Sequence, residues 1–325
     1  MMGLVVRLVG VLMILTALVM TLSRAPDRPV ETLVARWAPP PSDFIEVKGQ
    51  IVHLRDEGPR HTGKDDPLPI VLVHGTSASL HTWEGWVRAL KGQRRVITFD
   101  LPGFGLTGPF AGQYKQDNER DNYAGDAYAR FLLDLLDALK IDRAVIGGNS
   151  LGGEVAWRTA FLAPQRVAAL VLVDASGPPF TPLSIPLGFQ VARTPVLNRI
   201  SEWVLPRSLV HDSVASVYGD PSKVTEALVD RYFELTLREG NRHALAQRLQ
   251  HLVAGADAER IATLKLPTLI LWGGRDRLIP PAIAQQFKQQ IQGSQLVLFD
   301  DLGHVPQEED PTRTVQAVKA FLGLK

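Results

Sequence analysis

No cysteine occurs among the 325 residues of the chain. That absence excludes disulfides, a thiolate nucleophile and a cysteine-ligated zinc, and it leaves any nucleophile to be an oxygen or an amine. The redox compartment stays open, because a disulfide-free protein can live anywhere. An excess of one charge sign is also lacking: 35 basic and 34 acidic side chains are interspersed, for a formal net charge of +1. Nucleic acid, which needs a basic face, is therefore set aside as a partner.

Apolar sequence without charge is confined to the N-terminus, where Arg7 is the only charged residue from Gly3 to Leu22. Residues 8–22 alone fall short of a bilayer core of about 30 Å, but with Arg7 snorkelling the whole stretch is long enough to cross. A single N-terminal transmembrane helix within residues 1–24 is expected, making the protein membrane-anchored. The alternative is export after cleavage of a signal peptide near Thr21 and Ser23. Arg7 on one side and Arg24, Arg28 and Arg36 on the other leave the side of the membrane undecided.

Residues 25–42 are proline-rich and read as an extended linker. Phe44 to Val47 and Gln50 to Leu54, joined at Lys48-Gly49, form a hairpin pattern. His53 and His61 read as surface residues. Beyond them, continuous apolar strands alternate with helical patterns: Pro69 to Val73, Arg95 to Asp100, Ala144 to Asn149 and Ala168 to Asp174 are the strands. Between them, the helix over 122–140 places Tyr128, Phe131, Leu132, Leu135, Leu136 and Leu139 on one stripe. The alternation predicts an α/β fold, a mostly parallel sheet with helices on both faces. It breaks at Ala175. Prolines crowd residues 177–206, and two helical patterns follow from Pro221 to Ala254. Residues 176–257 are expected to be a helical cap inserted between core segments 43–175 and 258–325, with a separate helical domain beside the sheet as the alternative.

The chemistry centres on Gly148-Asn149-Ser150-Leu151-Gly152, a Gly-x-Ser-x-Gly pattern between a strand and a helix. Such a nucleophile elbow exposes Ser150 at a strained apex, while Gly148 and Gly152 leave room for the turn. Asp276 and His304 follow two later strands and complete the chain order Ser, Asp, His. A serine hydroxyl needs an imidazole to take its proton, and the imidazole needs a carboxylate to fix its tautomer. The backbone N–H groups of Thr76 and Leu151 are candidates for the oxyanion hole. His74 and Gly75 shape that loop, His74 by bracing and not as a base. Asp100 is expected to anchor its turn by accepting backbone N–H groups. Asp174, also at a strand end, is the competing acid. Glu154 reads as packing or surface, Asp300 and Asp301 stand too near His304 in sequence to orient it, and His81, His211, His243 and His251 have no motif around them.

His74-Gly75, Asp100-Leu101-Pro102-Gly103-Phe104-Gly105, Gly148 to Gly153, Gly274-Arg275-Asp276 and Gly303-His304 stand in the order and spacing of the α/β-hydrolase superfamily. From His74 onward the chain resembles its capped esterase-like and C–C-bond hydrolase branches. The resemblance implies the triad and oxyanion residues above, a small-molecule ester or acyl substrate, and no metal or organic cofactor. Asn149 is similar to the residue before the serine in hydrolases of aromatic ring-fission products. Val305 and the absence of a glycine-rich run after Gly75 depart from that subfamily. The expected activity is ester or related acyl hydrolysis through an acyl-enzyme at Ser150. C–C-bond hydrolysis is the alternative, and a non-catalytic ligand receptor on the same fold is the reading from a different class.

Overall fold

Short, fully apolar runs can be buried on both faces only inside a sheet covered by helices, and that is where they lie. The computed structural model describes residues 2–60, 68–117 and 122–325, so His61 falls outside it. The strands are β1 Ser42–Val47, β2 Gln50–Glu57, β3 Ile70–Val73, β4 Val96–Phe99, β5 Ala144–Asn149, β6 Val167–Val173, β7 Thr268–Gly273 and β8 Gln295–Phe299. They form one sheet in the order β1-β2-β4-β3-β5-β6-β7-β8. The pairings β1·β2 and β2·β4 are antiparallel, and those from β4 to β8 are parallel. The carboxyl ends of β3, β5, β6, β7 and β8 consequently open on one edge.

Side chains alternate across β3. Ile70 and Leu72 pack with Trp86 and Leu90 of the helix Glu84–Leu90 and with Val315 and Val318 of the helix Pro311–Leu322. Val71 and Val73 pack on the other face with Phe131, Leu132 and Leu135 of the helix Gly125–Ala138. That helix buries the expected stripe, with Leu139 packed just past its end. At ~2 kcal/mol per buried large apolar side chain, these two layers dominate the stability of the core.

Between β6 and β7 lie the helices Leu187–Arg193, Pro195–Ser201, Arg207–Ala215, Glu226–Thr236 and Asn241–His251. The prolines that crowd residues 177–206 thus separate and start short helices. Pro221 does not open the helix that follows it. It begins a separate turn, and the helix starts at Glu226, where Thr225 Oγ1 accepts the Leu228 N–H at 3.2 Å.

The N-terminal residues differ from expectation in two respects. Met2–Leu22 is helical, but among the described residues no helix is long and apolar enough to cross a membrane. The transmembrane helix expected there is therefore unsupported. Nor are residues 25–42 an extended linker. They contain the helix Glu31–Trp37, and Leu33 packs with Leu106 and Leu235 while Val30, Trp37 and Phe44 close around them. Ala25 N–H donates to Trp203 O at 2.9 Å and Leu205 N–H to Ser23 O at 3.0 Å. Asp27 pairs with Arg242 at 2.5 Å, and Trp37 Nε1–H donates to Glu234 at 2.6 Å. The apolar residues between the prolines outweigh their preference for extension, and the segment becomes a strap across the insertion.

Candidate active site

Ser150 stands where β5 passes into the helix Leu151–Leu162, with φ 55° and ψ −115°. A non-glycine residue in that conformation stores roughly 1–3 kcal/mol of strain, which neighbouring bonds must hold. Ser150 N–H donates to Val173 O and Ser176 N–H to Ser150 O, both at 3.0 Å. Space is as tight as the motif demands. A Cβ on Gly148 would lie 2.1 Å from Gly152 O, and one on Gly152 would lie 2.0 Å from Val73 O.

His304, in the loop after β8, has Nδ1 2.7 Å from Asp276 Oδ2. Asp276, in the loop after β7, accepts the Leu278 and Ile279 N–H groups at 2.8 and 2.9 Å through Oδ1. Those two bonds keep its other oxygen aimed at the imidazole. The Nδ1–H then belongs to Asp276, and Nε2 is the nitrogen left to face the cavity. Ser150, His304, Gly75 and Thr76 line one cavity of about 130 Å³, whose remaining wall comes largely from the insertion, including Phe189, Leu205, Val214 and Leu245. Residues of the insertion and of the sheet-edge loops thus face one another across this cavity. Leu151 is the first residue of its helix, so its N–H has no intrahelical acceptor.

His74 acts as the brace expected of it. Its Nε2 accepts the Leu101 N–H at 2.9 Å, which requires the proton on Nδ1, and Nδ1–H donates to Gly75 O at 2.7 Å. Full burial lowers its pKa, with Asp100 opposing that shift, so the ring stays neutral. Asp100 accepts the Leu106 N–H of its own turn at 2.8 Å and the Leu80 N–H of the loop after β3 at 2.7 Å, so it ties two loops together. Burial alone would raise its carboxyl, yet the nearby His53, His74 and His81 hold it below the usual carboxylate range. His53, expected at the surface, is fully buried with Nδ1 2.7 Å from Asp100. Its partner is 47 residues away in sequence, so nothing local marks it.

Sequence reasoning also passed over how the site is tied together. Asn149 Nδ2–H donates to His304 O at 2.9 Å and to Val173 O at 3.2 Å, joining the elbow to the histidine loop. Glu309, just past that loop, accepts the N–H groups of Gly303, Gly219 and Asp220 at 2.8–2.9 Å and so fastens the insertion to it. Glu154 is buried in ion pairs with Arg158 and Arg248. Asp301 pairs with Arg313 and takes no part in the His304 contact. Among the unassigned histidines, His81 is buried against Trp37 O and Ser79, whereas His211 and His243 are exposed. Asp174 lies close to Asp276 and His304 but makes no hydrogen bond to the imidazole; its Oδ1 accepts the Gly273 N–H at 3.0 Å.

A family model described as the alpha/beta hydrolase fold matches residues 69–311. The chain belongs to the α/β-hydrolase family. It is a hydrolase, as its motifs led us to expect. A 2-hydroxy-6-oxo-2,4-heptadienoate hydrolase of Pseudomonas putida is 31% identical over 268 residues, 78% of this chain and 88% of the relative. Lipase 1 of Psychrobacter immobilis is 30% identical over 263 residues, 78% of this chain and 76% of the relative. The meta-cleavage product hydrolase of Pseudomonas fluorescens IP01 superposes with a TM-score of 0.70 at 26% identity, covering 86% of this chain and 97% of that one.

Proposed function

We propose that this α/β-hydrolase cleaves a carboxylic ester of an apolar acid through an acyl-enzyme at Ser150. His304 Nε2 takes the Ser150 Oγ proton as Oγ bonds to the carbonyl carbon. The oxyanion is received by the Thr76 and Leu151 N–H groups. The tetrahedral centre collapses by expelling the alkoxide, to which His304 returns the proton; water then repeats the cycle on the acyl-enzyme. Asp276 holds the imidazole tautomer and stabilises its cation. Residues 176–257 serve as the cap that selects the acyl group, between the core segments 43–175 and 258–325.

The observation that carries this reading is Ser150 opening with His304 into one predominantly apolar cavity, His304 being backed by Asp276. The same cavity favours an ester over an anionic ring-fission product. Arg242 is the cationic side chain among its described lining residues. Three of its five N–H groups go to Asp27 and Ser201 O, and the Asp27 carboxylate offsets its charge. C–C-bond hydrolysis is the second reading, favoured by the relative whose name carries that activity. A fluorophosphonate probe should label the protein at Ser150 and leave a folded Ser150→Ala variant unlabelled. Absence of an adduct on folded protein sinks the acyl-enzyme. Turnover of a vinylogous diketone without turnover of p-nitrophenyl esters reverses the order of the two readings.

The same proposal places the enzyme at a lipid surface. Described side chains of the helix Met2–Leu22, among them Leu8, Ile14, Leu18 and Leu22, are exposed. An apolar face left uncovered by the rest of the chain suits attachment to acyl chains.

A further inference from the structure

Asp174 ends β6 with φ 43°, a conformation unusual for a residue with a side chain. Its side chain is fully buried, and while Oδ1 accepts the Gly273 N–H, Oδ2 has no hydrogen-bond partner. One side-chain oxygen of Asp174, one of Asp276 and one ring nitrogen of His304 all lie within 4.8 Å of one another. Asp276 by contrast accepts at both oxygens, with two N–H groups on Oδ1 and the imidazole on Oδ2, which leaves Oδ2 room for one more donor.

Two carboxylates this close in a dry site cannot both be ionised. The charge settles where donors stabilise it, which is Asp276 with three donors over Asp174 with one. The other acid facing Asp174 is Glu309, from the helix Pro306–Glu309. Its oxygens take three backbone N–H groups, and its charge further disfavours a charge on Asp174. Burial first, and then the Asp276 charge, push the Asp174 carboxyl well above the usual range.

We propose that Asp174 is a positioning residue that works as a neutral carboxylic acid, its Oδ2–H given to the Asp276 carboxylate so that the latter stays fixed against His304. This rests on Asp276 being the acid that orients His304. A donor on Asp276 also tempers its basicity, and hence how tightly it holds the imidazolium. Asp174 is thus not a spare triad acid. It fixes the carboxylate that orients His304.

Two variants test the proposal. Asp174→Asn keeps the shape, an acceptor for Gly273 N–H and an N–H donor for Asp276; Asp174→Leu removes both. The infrared difference between the parent protein and Asp174→Asn at neutral pH should show the C=O stretch of a protonated carboxyl. A carboxylate band in its place overturns the proposal, and this readout needs no catalysis. On a soluble ester, Asp174→Leu should lower kcat roughly tenfold with little change in KM, as expected for losing a hydrogen bond to a charged group. It should also raise the acid limb of kcat/KM. Asp174→Asn should restore the limb. An acid limb displaced downward in Asp174→Asn would mean that an ionised Asp174 had been supporting the imidazolium, and an unmoved limb in Asp174→Leu would mean mere filling of space; either overturns the proposal. Should Asp174→Leu fail to fold, the infrared band and the Asp174→Asn profile still decide it. Loss of Ser150 labelling would strike the acyl-enzyme reading while leaving the infrared result intact.

Discussion

Replacing Asn149 by alanine tests whether the elbow and the histidine loop are held as one unit. The Asn149 amide is buried and donates to His304 O and Val173 O at 2.9 and 3.2 Å. At ~1 kcal/mol net for each bond lost, Asn149→Ala should cost about 2 kcal/mol. In a fold of this size, with an unfolding entropy of about 2 cal/mol/K per residue, that lowers Tm by about 3 °C. Freed of its tie, the His304 backbone shifts, and kcat should fall by about tenfold or more, since misplacement by about 1 Å costs up to a hundredfold. Ser150 itself stays in place, so labelling by a fluorophosphonate should slow without disappearing. Asn149→Asp is the sharper perturbation. It is nearly isosteric but has no N–H to give, and it buries a carboxylate against two carbonyls, for a cost of about 3 kcal/mol or more. Urea unfolding gives the stabilities, and ester turnover gives kcat. If Asn149→Ala matches the parent protein in both, or if Asn149→Asp is no worse than the alanine variant, the amide bridge is not what holds the loop.

Two further outcomes are expected. Burial lowers His81 to about 4, with Asp100 opposing and Arg231 and Arg55 reinforcing the shift. The folded protein thus refuses a proton that the unfolded chain accepts near pH 6.5, so the stability present above that pH is lost as pH falls toward 4, by at most about 3 kcal/mol. Unfolding free energies of the parent protein and His81→Gln, measured across pH 4–7, should converge at the acid end; parallel curves would refute this. For the lipid surface, the full chain should float with phosphatidylcholine vesicles and a Leu8→Glu/Ile14→Glu variant should stay at the bottom of the gradient. Equal flotation of both would remove the N-terminal helix from the attachment.

The elbow turn at Ser150 and the buried stripe of residues 125–138 were legible because each is written in contiguous residues, and the loops of Asp276 and His304 because each directly follows its own strand. Strand and helix periods come from backbone geometry, and parallel strands following one another must send their loops to one edge. His74 and Asp100 were readable as braces through their local bonds to Gly75 O and Leu106 N–H, whereas their bonds to Leu101 and Leu80 were not. The strap was not legible. Proline content predicted extension, but Leu33 and Trp37 found partners on the insertion about 200 residues away.

What the sequence alone determined, then, is the hydrolase family and where its motifs stand: Ser150 on the elbow, with Asp276 and His304 in loops that follow strands of the same sheet. What only the tertiary structure decided is how these groups are held and tuned. Asn149 closes onto His304 across 155 residues, Asp27 onto Arg242 across 215, and Asp174 comes within 4.8 Å of Asp276. A local motif fixes the conformation of its own few residues. The burial and the partner of a polar side chain depend on which distant segment packs over it, and that becomes definite only when the whole chain has folded.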